Sequence, residues 1–147
     1  MKKIIVATVF ASLFASAGAF AASTGPQKIT VTLASDTFAA VGSLTQDINV
    51  ARQGTMTAQA SRAGFVKNSF DFTVSANVVA GVIEEPADSR FGVTAGSNKG
   101  YNVFTGSSVG GSISQCGNPV AKTVTNLGGS LVVAGTLNLD NANGCGR

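Results

Sequence analysis

Residues 70–78 read Phe-Asp-Phe-Thr-Val-Ser-Ala-Asn-Val, with an apolar side chain at every second position. Because successive side chains of a β-strand point to opposite faces of the sheet, one face of this stretch is apolar and the other polar. The apolar face carries Phe70, Phe72, Val74, Ala76 and Val78. This period of two predicts a half-buried strand of an antiparallel sheet.

Several other segments repeat this alternation, and no segment shows helical periodicity over more than two turns. Two predicted hairpins have glycine-containing turns, at residues 96–99 and at Gly128-Gly129. Gly135 is predicted to mark a bulge in the last strand. Short strands with frequent glycine-rich turns predict an all-β sandwich or barrel. The predicted strands besides 70–78 are residues 28–34, 55–61, 90–95, 100–105, 120–127 and 130–139.

Residues 1–21 have the three parts of a cleavable secretory signal peptide. Lys2 and Lys3 form the positive start, Ile4 to Phe14 is apolar and uncharged, and Ala19-Phe20-Ala21 is an A-x-A cleavage site. We expect cleavage after Ala21, which leaves residues 22–147 as one β-rich domain. The alternative is an N-terminal membrane anchor, but a spanning helix needs about 20 apolar residues. No later run is that long, so we expect no membrane span in the mature chain.

Composition narrows the classes of function. Charged residues make up 12% of the chain, and it has no histidine. Two of the basic residues belong to the signal, so the mature chain is close to neutral and offers no basic surface for nucleic acid. Without histidine, the commonest general base is missing. We therefore expect neither an enzyme nor a cofactor, and we expect most phenylalanines to be core residues.

The chain contains two cysteines, Cys116 and Cys145. An even pair in an exported protein predicts a disulfide between them. The alternatives are a reactive thiol or a metal site, and two cysteines without histidine make a poor zinc site.

The acidic segment 84–88 reads Glu-Glu-Pro-Ala-Asp and predicts a solvated turn, because proline and aspartate favour turns. One alternative is a glycoside hydrolase that uses carboxylates, with Asp71, Glu84, Glu85 or Asp88 as candidates. Nothing pairs these groups at catalytic spacing. A calcium site is the other alternative, although the spacing differs from that of an EF-hand.

Residues 27–36 read QKITVTLASD. This segment resembles the N-terminal segment of chaperone–usher pilins of the colonisation-factor-antigen type, which begin with a similar Lys/Asn-Ile-Thr-Val-Thr run. The resemblance implies an antiparallel immunoglobulin-like sandwich that is incomplete and is completed by a donor strand from a neighbouring subunit. Donation is a case of β-strand addition, in which alternate side chains fill pockets. Ile29, Val31 and Leu33 would be the inserted side chains of this polymerisation strand. The alternative is that residues 28–34 form the first strand of a self-contained sandwich.

The resulting expectation is a structural subunit of a bacterial surface fibre, a fimbria or pilus that supports adhesion. Its partners would be copies of itself or related subunits, a periplasmic chaperone and an outer-membrane usher. It would pass through the periplasm to the cell surface or be secreted. The alternative function is a monomeric secreted or periplasmic β-sandwich that binds carbohydrate or protein.

Overall fold

A computed structural model describes residues 28–42, 49–116, 121, 123 and 132–146. Within these ranges the chain is all-β, as the alternating sequence predicted, and its only helical segments are three single turns of 3-10 helix. No helix in the described ranges is long and apolar enough to cross a membrane. The strands are β1 (Lys28–Thr32), β2 (Ala39–Val41), β3 (Arg52–Thr57), β4 (Phe70–Val74), β5 (Val78–Glu85), β6 (Arg90–Ser97), β7 (Val103–Ser107) and β8 (Ser114–Gln115). The 3-10 turns are Ala60–Arg62, Ala134–Thr136 and Ala142–Gly144.

The strands form two sheets. The three-stranded sheet has the order β1-β3-β4, in which β1 runs parallel to β3 and β4 runs antiparallel to it. The five-stranded sheet has the order β2-β5-β6-β7-β8, and each neighbouring pair in it is antiparallel. The chain alternates between the sheets at its start, because β1 and β3 belong to one and β2 to the other.

The main core lies between the three-stranded sheet and the β2–β5 side of the five-stranded sheet. Full burial of one aliphatic side chain stabilises a fold by roughly 1.5–3 kcal/mol, so this layer is the principal source of stability in the described fold. Its buried members are Ile29, Val31, Leu33, Val41, Met56, Val74 and Val82.

Strand β5 was missed by the sequence analysis, although it is an interior strand of its sheet, between β2 and β6. Val82 packs in the main core, whereas Val79 belongs to a second cluster with Val103 and Val132 on the opposite face. A strand that is buried on both faces reads as a continuous apolar run and not as an alternation. The period-of-two criterion therefore could not detect it.

The strand predicted at 70–78 is shorter in the structure, since β4 ends at Val74. The backbone then turns, with the amide of Val78 donating to the carbonyl of Ser75 at 3.2 Å. Asn77 has a φ of 62°, a left-handed conformation that asparagine tolerates better than most residues. The alternation continues through this turn, but Val78 already belongs to β5.

The first predicted hairpin is confirmed, because β6 and β7 pair antiparallel. The second predicted hairpin, with strands at 120–127 and 130–139, lies largely outside the described residues, because its residues 120, 122 and 124–131 are not among them. The part of its last strand that is described, 132–139, is not a strand. A 3-10 turn at Ala134–Thr136 interrupts it, so Gly135 marks no bulge. The hydroxyl of Thr136 accepts a hydrogen bond from the Val133 amide at 3.4 Å, which supports the turn in place of an extended chain.

The C-terminal segment 132–146 covers the face of the five-stranded sheet that points away from the main core. Leu137 and Leu139 are buried there beside Gly92. A Cβ atom at Gly92 would lie 2.4 Å from Cδ2 of Leu139, so a larger residue would push this segment off the sheet. The predicted disulfide is present and joins Cys116, directly after β8, to Cys145 in this segment, with 5.4 Å between the Cα atoms.

Candidate assembly strand and apolar groove

The predicted polymerisation strand coincides with β1, and its three apolar side chains pack inside their own chain. Ile29, Val31 and Leu33 are 5%, 2% and 4% exposed. The outward side chains of Lys28, Thr30 and Thr32 are exposed. The sequence therefore identified correctly which face of this strand is apolar, and the structure places that face in the main core.

The backbone of β1 pairs on one side only within the described residues, because β1 is at the end of its sheet. Its register with β3 is parallel, from Lys28 opposite Gln53 to Thr32 opposite Thr57, and the Leu33 amide continues the pairing to the Thr57 carbonyl at 3.1 Å. The chain then crosses to the other sheet, where the Asp36 amide donates to the Glu84 carbonyl at 2.8 Å. A short crossover thus links this edge strand to the rest of the fold.

Glu84 contradicts the prediction of a solvated acidic turn over residues 84–88. It is the penultimate residue of β5 and is completely buried, and the turn begins only at Pro86, whose carbonyl accepts from the Ser89 amide. The Glu84 carboxylate accepts hydrogen bonds from Nε2 of Gln59 and from the Val66 amide, both at 2.6 Å. A buried carboxylate must be hydrogen-bonded to be tolerated, so Glu84 serves as an anchor for the loop between β3 and β4.

Gly64 explains how the loop comes close enough to Glu84. A Cβ atom at this position would lie 2.2 Å from the carboxyl carbon of Glu84. Only glycine allows that approach without displacing the carboxylate. Glu85, the next residue, is half-buried on the opposite face of the strand, as the alternation requires.

Arg52 is a second buried ionisable group that the sequence analysis did not single out. It begins β3 and is completely buried, and its Nη2 donates to the carbonyl of Val78. Nε and Nη1 have no hydrogen-bond partner within the part of the chain that the structure describes. Burial lowers the pKa of the Arg52 guanidinium, because desolvation disfavours the charged form. The residue links the start of β3 to the start of β5 across the two sheets.

One face of the five-stranded sheet points toward the main core. This face is covered at β5 but is exposed to solvent at β6 and β7. Val82 of β5 is 2% exposed, whereas Val93, its partner on β6, is 37% exposed. On β7, Phe104 lies opposite Ala95 and is 44% exposed. The three-stranded sheet is narrower than the five-stranded sheet, so the outer part of this apolar face has no layer above it in the described structure.

This uncovered face forms an apolar groove of about 440 Å³. At one end the ring of Phe65, from the loop that Glu84 anchors, stacks on Phe91 with 6.0 Å between the ring centroids. At the other side Ile113 is 78% exposed. Among the described residues, none with an ionisable side chain lines this groove; the lining residues are Phe65, Phe91, Val93, Ala95, Phe104, Thr105, Gly106, Ser107, Ser108 and Ile113.

The expectation that most phenylalanines are core residues is wrong for the described part of the chain. Phe65, Phe70 and Phe104 are each close to half exposed. The alternating sequence placed Phe70 on the correct face of its strand, but whether a face is covered depends on the opposing sheet. No sequence signal distinguishes a covered apolar face from an uncovered one.

The candidate catalytic carboxylates are not all brought together. Asp71 lies on the three-stranded sheet, where it accepts a hydrogen bond from the Thr55 hydroxyl at 2.7 Å, while Glu84 and Glu85 lie on β5 of the other sheet. Asp88 follows in the turn after β5. The described residues contain no cluster of three or more histidine, cysteine or acidic side chains that could hold a metal ion.

Comparison of the chain with protein-family models, with curated proteins and with solved structures finds no match in any of the three.

Proposed function

We propose that this chain is an exported structural subunit that assembles with its like into a bacterial surface fibre by β-strand addition and supports adhesion. The observation that carries the proposal is β1. An N-terminal edge strand contributes three buried apolar side chains, Ile29, Val31 and Leu33, and is attached to the rest of the fold by a short crossover.

Such a strand is suited to exchange between identical subunits. When β1 of one copy occupies the same position in a neighbour, it makes the same backbone pairing with β3 and buries the same three side chains. Exchange of an identical element is therefore a low-cost route to assembly. An extended segment that adds to a sheet edge gains affinity from its main-chain hydrogen bonds and specificity from its alternate side chains.

The disulfide and the sequence of the segment support the same proposal. A disulfide between Cys116 and Cys145 fits an exported protein, because such bonds persist in oxidising compartments. The resemblance of residues 27–36 to pilin N-termini adds a periplasmic chaperone and an outer-membrane usher as the partners we propose during assembly.

The test is to lock β1 into its own subunit. Thr32 and Thr57 are opposite each other in the parallel register, at the end of the β1–β3 pair. Neighbouring positions of paired strands can accept a disulfide when their Cα atoms are within about 7 Å. We expect Thr32→Cys/Thr57→Cys to form the bond, keep the fold and give no fibres in electron micrographs, because β1 can no longer leave its subunit.

The matched controls are the two single variants, Thr32→Cys and Thr57→Cys, which should assemble like the unaltered chain. Thiol labelling verifies that the lock has closed. Fibres formed by a fully locked chain would contradict strand exchange, and so would the absence of any fibres from the unaltered protein under conditions in which it is exported.

A second candidate function is a monomeric module that binds a partner protein. The apolar groove on β6 and β7 favours it, because concave apolar surfaces are common binding sites. Carbohydrate is a poorer fit, since the groove is lined by aliphatic and phenylalanine side chains with few polar groups.

A further inference from the structure

We propose that the C-terminal segment, residues 132–146, acts as a redox-gated strap. It lies closed over the five-stranded sheet while the Cys116–Cys145 disulfide is intact. When a dithiol reduces that bond, the segment opens as a unit while both sheets remain folded. Strand exchange uses β1, which belongs to the other sheet, so the two processes are independent.

The polar ties of the C-terminal segment to the rest of the described fold are weak without the disulfide. The Asn143 amide donates to the Gly110 carbonyl at 2.7 Å, in the turn after β7. The ion pair between Arg90 and Asp140 is short, at 2.6 Å, but the Asp140 side chain is 81% exposed. Exposed ion pairs contribute little to stability, so this pair does not hold the segment down.

The C-terminal segment also buries few apolar side chains for its length. Among its described residues, the buried hydrophobic side chains are those of Val132, Leu137 and Leu139. The conformational free energy lost when one residue is ordered is of the same order as the stabilisation from burying one aliphatic side chain. These side chains alone therefore do not keep residues 132–146 in place. The disulfide supplies the missing constraint, because it keeps the segment at a high local concentration beside the sheet.

A polar row lies beneath the C-terminal segment. Thr94 of β6 and Thr105 of β7 are directly opposite each other and are 0% and 1% exposed. On one side of this row Leu139 packs against Gly92, and on the other side Val132 packs in the second buried cluster. The segment therefore passes over the row.

The polar row opposes closure of the segment. Neither the Thr94 nor the Thr105 hydroxyl has a hydrogen-bond partner within the residues that the structure describes. A buried hydroxyl without a partner has lost its hydration without compensation, which costs free energy whenever the segment is closed. Opening returns both hydroxyls to water. The row thus favours the open segment, and the disulfide opposes it.

Reduction of the disulfide by a dithiol has a defined balance. The dithiol supplies two electrons and two protons, the Sγ–Sγ bond breaks, both cysteines become thiols and the dithiol becomes a disulfide. A reducing compartment therefore favours the open segment, and an oxidising compartment favours the closed one. For an exported chain, we expect the segment to close only after export.

The experiment follows amide hydrogen exchange of the mature chain by NMR before and after treatment with dithiothreitol. After reduction, the Asn143 amide should exchange faster by on the order of a hundred-fold, and faster than the amides of β5 and β6. Exchange ahead of the central strands is the signature of local opening. The Cys116 thiol, which is buried under the closed segment, should become accessible to a thiol reagent at the same time.

Thr94→Val/Thr105→Val tests the polar row. Valine keeps the branched shape of threonine and replaces each hydroxyl with a methyl group, so the closed segment no longer buries an unpartnered hydroxyl. In the reduced double variant the Asn143 amide should exchange at least about ten-fold more slowly than in the reduced, unaltered chain. The matched control is Thr73→Val, at an exposed position of β4 on the other sheet, which should open like the unaltered chain.

Three results would overturn the proposal. The first is an Asn143 amide and a Cys116 thiol that stay as protected after reduction as the closed segment makes them. The second is loss of protection in β5 and β6 at the same rate as at Asn143, because the reduced chain would then unfold as a whole. The third is equal opening of the double valine variant and the unaltered chain, because the polar row would then have no influence on the segment.

Discussion

Removal of the Cys116–Cys145 disulfide should lower the stability of the fold by a predictable amount. The two cysteines are 29 residues apart in sequence. For a loop of that length the chain-entropy relation gives about 3.6 kcal/mol at 25 °C, through restriction of the unfolded chain. We therefore expect Cys116→Ala/Cys145→Ala to reduce the free energy of unfolding by about 3–4 kcal/mol. Alanine is preferred because Cys116 is buried and a serine hydroxyl there would need a hydrogen-bond partner.

The disulfide also holds the C-terminal segment in place in the folded state. Within the C-terminal segment the Asn138 amide donates to the Gly144 carbonyl and the Gly146 amide to the Thr136 carbonyl, both at 3.1 Å. These bonds hold the segment to itself. A hydrogen bond from the Asn143 amide to the Gly110 carbonyl at 2.7 Å attaches it to the turn after β7. Loss of the disulfide should therefore loosen the cover over Gly92 before the two sheets separate.

Urea unfolding followed by circular dichroism and by the fluorescence of Tyr101, the single tyrosine of a chain without tryptophan, measures the effect. With a slope of about 1–3 kcal/mol per M, the midpoint should fall by about 1–4 M. The unaltered chain treated with a reductant is the control and should unfold at the midpoint of the double variant. A midpoint within about 0.3 M of the oxidised, unaltered chain would refute the entropic reasoning.

Two further predictions concern Glu84 and the signal. Glu84→Ala should lower the free energy of unfolding in urea titrations by about 2–4 kcal/mol, because it removes the carboxylate that accepts two buried hydrogen bonds. The control is Glu85→Ala, at the half-buried neighbouring position, which should lower it by less than about 1 kcal/mol. Equal losses for the two variants would show that Glu84 does not anchor the loop. N-terminal sequencing of the exported protein should begin Ala-Ser-Thr-Gly, after cleavage at Ala21, and a mature form that keeps Met1 would contradict export through this signal.

The sequence identified strands where one face is apolar and the other polar. Residues 28–34 and the hairpin at 90–105 were predicted close to their observed positions, because half-buried strands carry their orientation in a period of two. The disulfide was predicted from the parity of the cysteines and from the expected compartment. Each of these inferences rests on local sequence or on the number of cysteines, and none required a pairing between strands that are distant in the chain.

The sequence analysis failed for segments whose burial depends on contacts with distant parts of the chain. Strand β5 is covered on both faces and therefore shows no alternation, and the segment 132–139 is apolar because it covers a sheet and not because it belongs to one. Glu84 looked solvated because its charge and the following proline suggested a turn. Its burial depends on Gln59 and Val66, which are distant in sequence.

What the sequence by itself determined is the all-β class, the apolar face of β1 and the pairing of the two cysteines, because strand alternation and cysteine parity are local or compositional properties. The tertiary structure alone decided that Ile29, Val31 and Leu33 pack in their own chain and that Val93 and Phe104 remain exposed. An apolar side chain has the same tendency to leave water wherever it occurs. Whether it succeeds depends on the width and position of the opposing sheet, which is set by contacts between residues far apart in the chain.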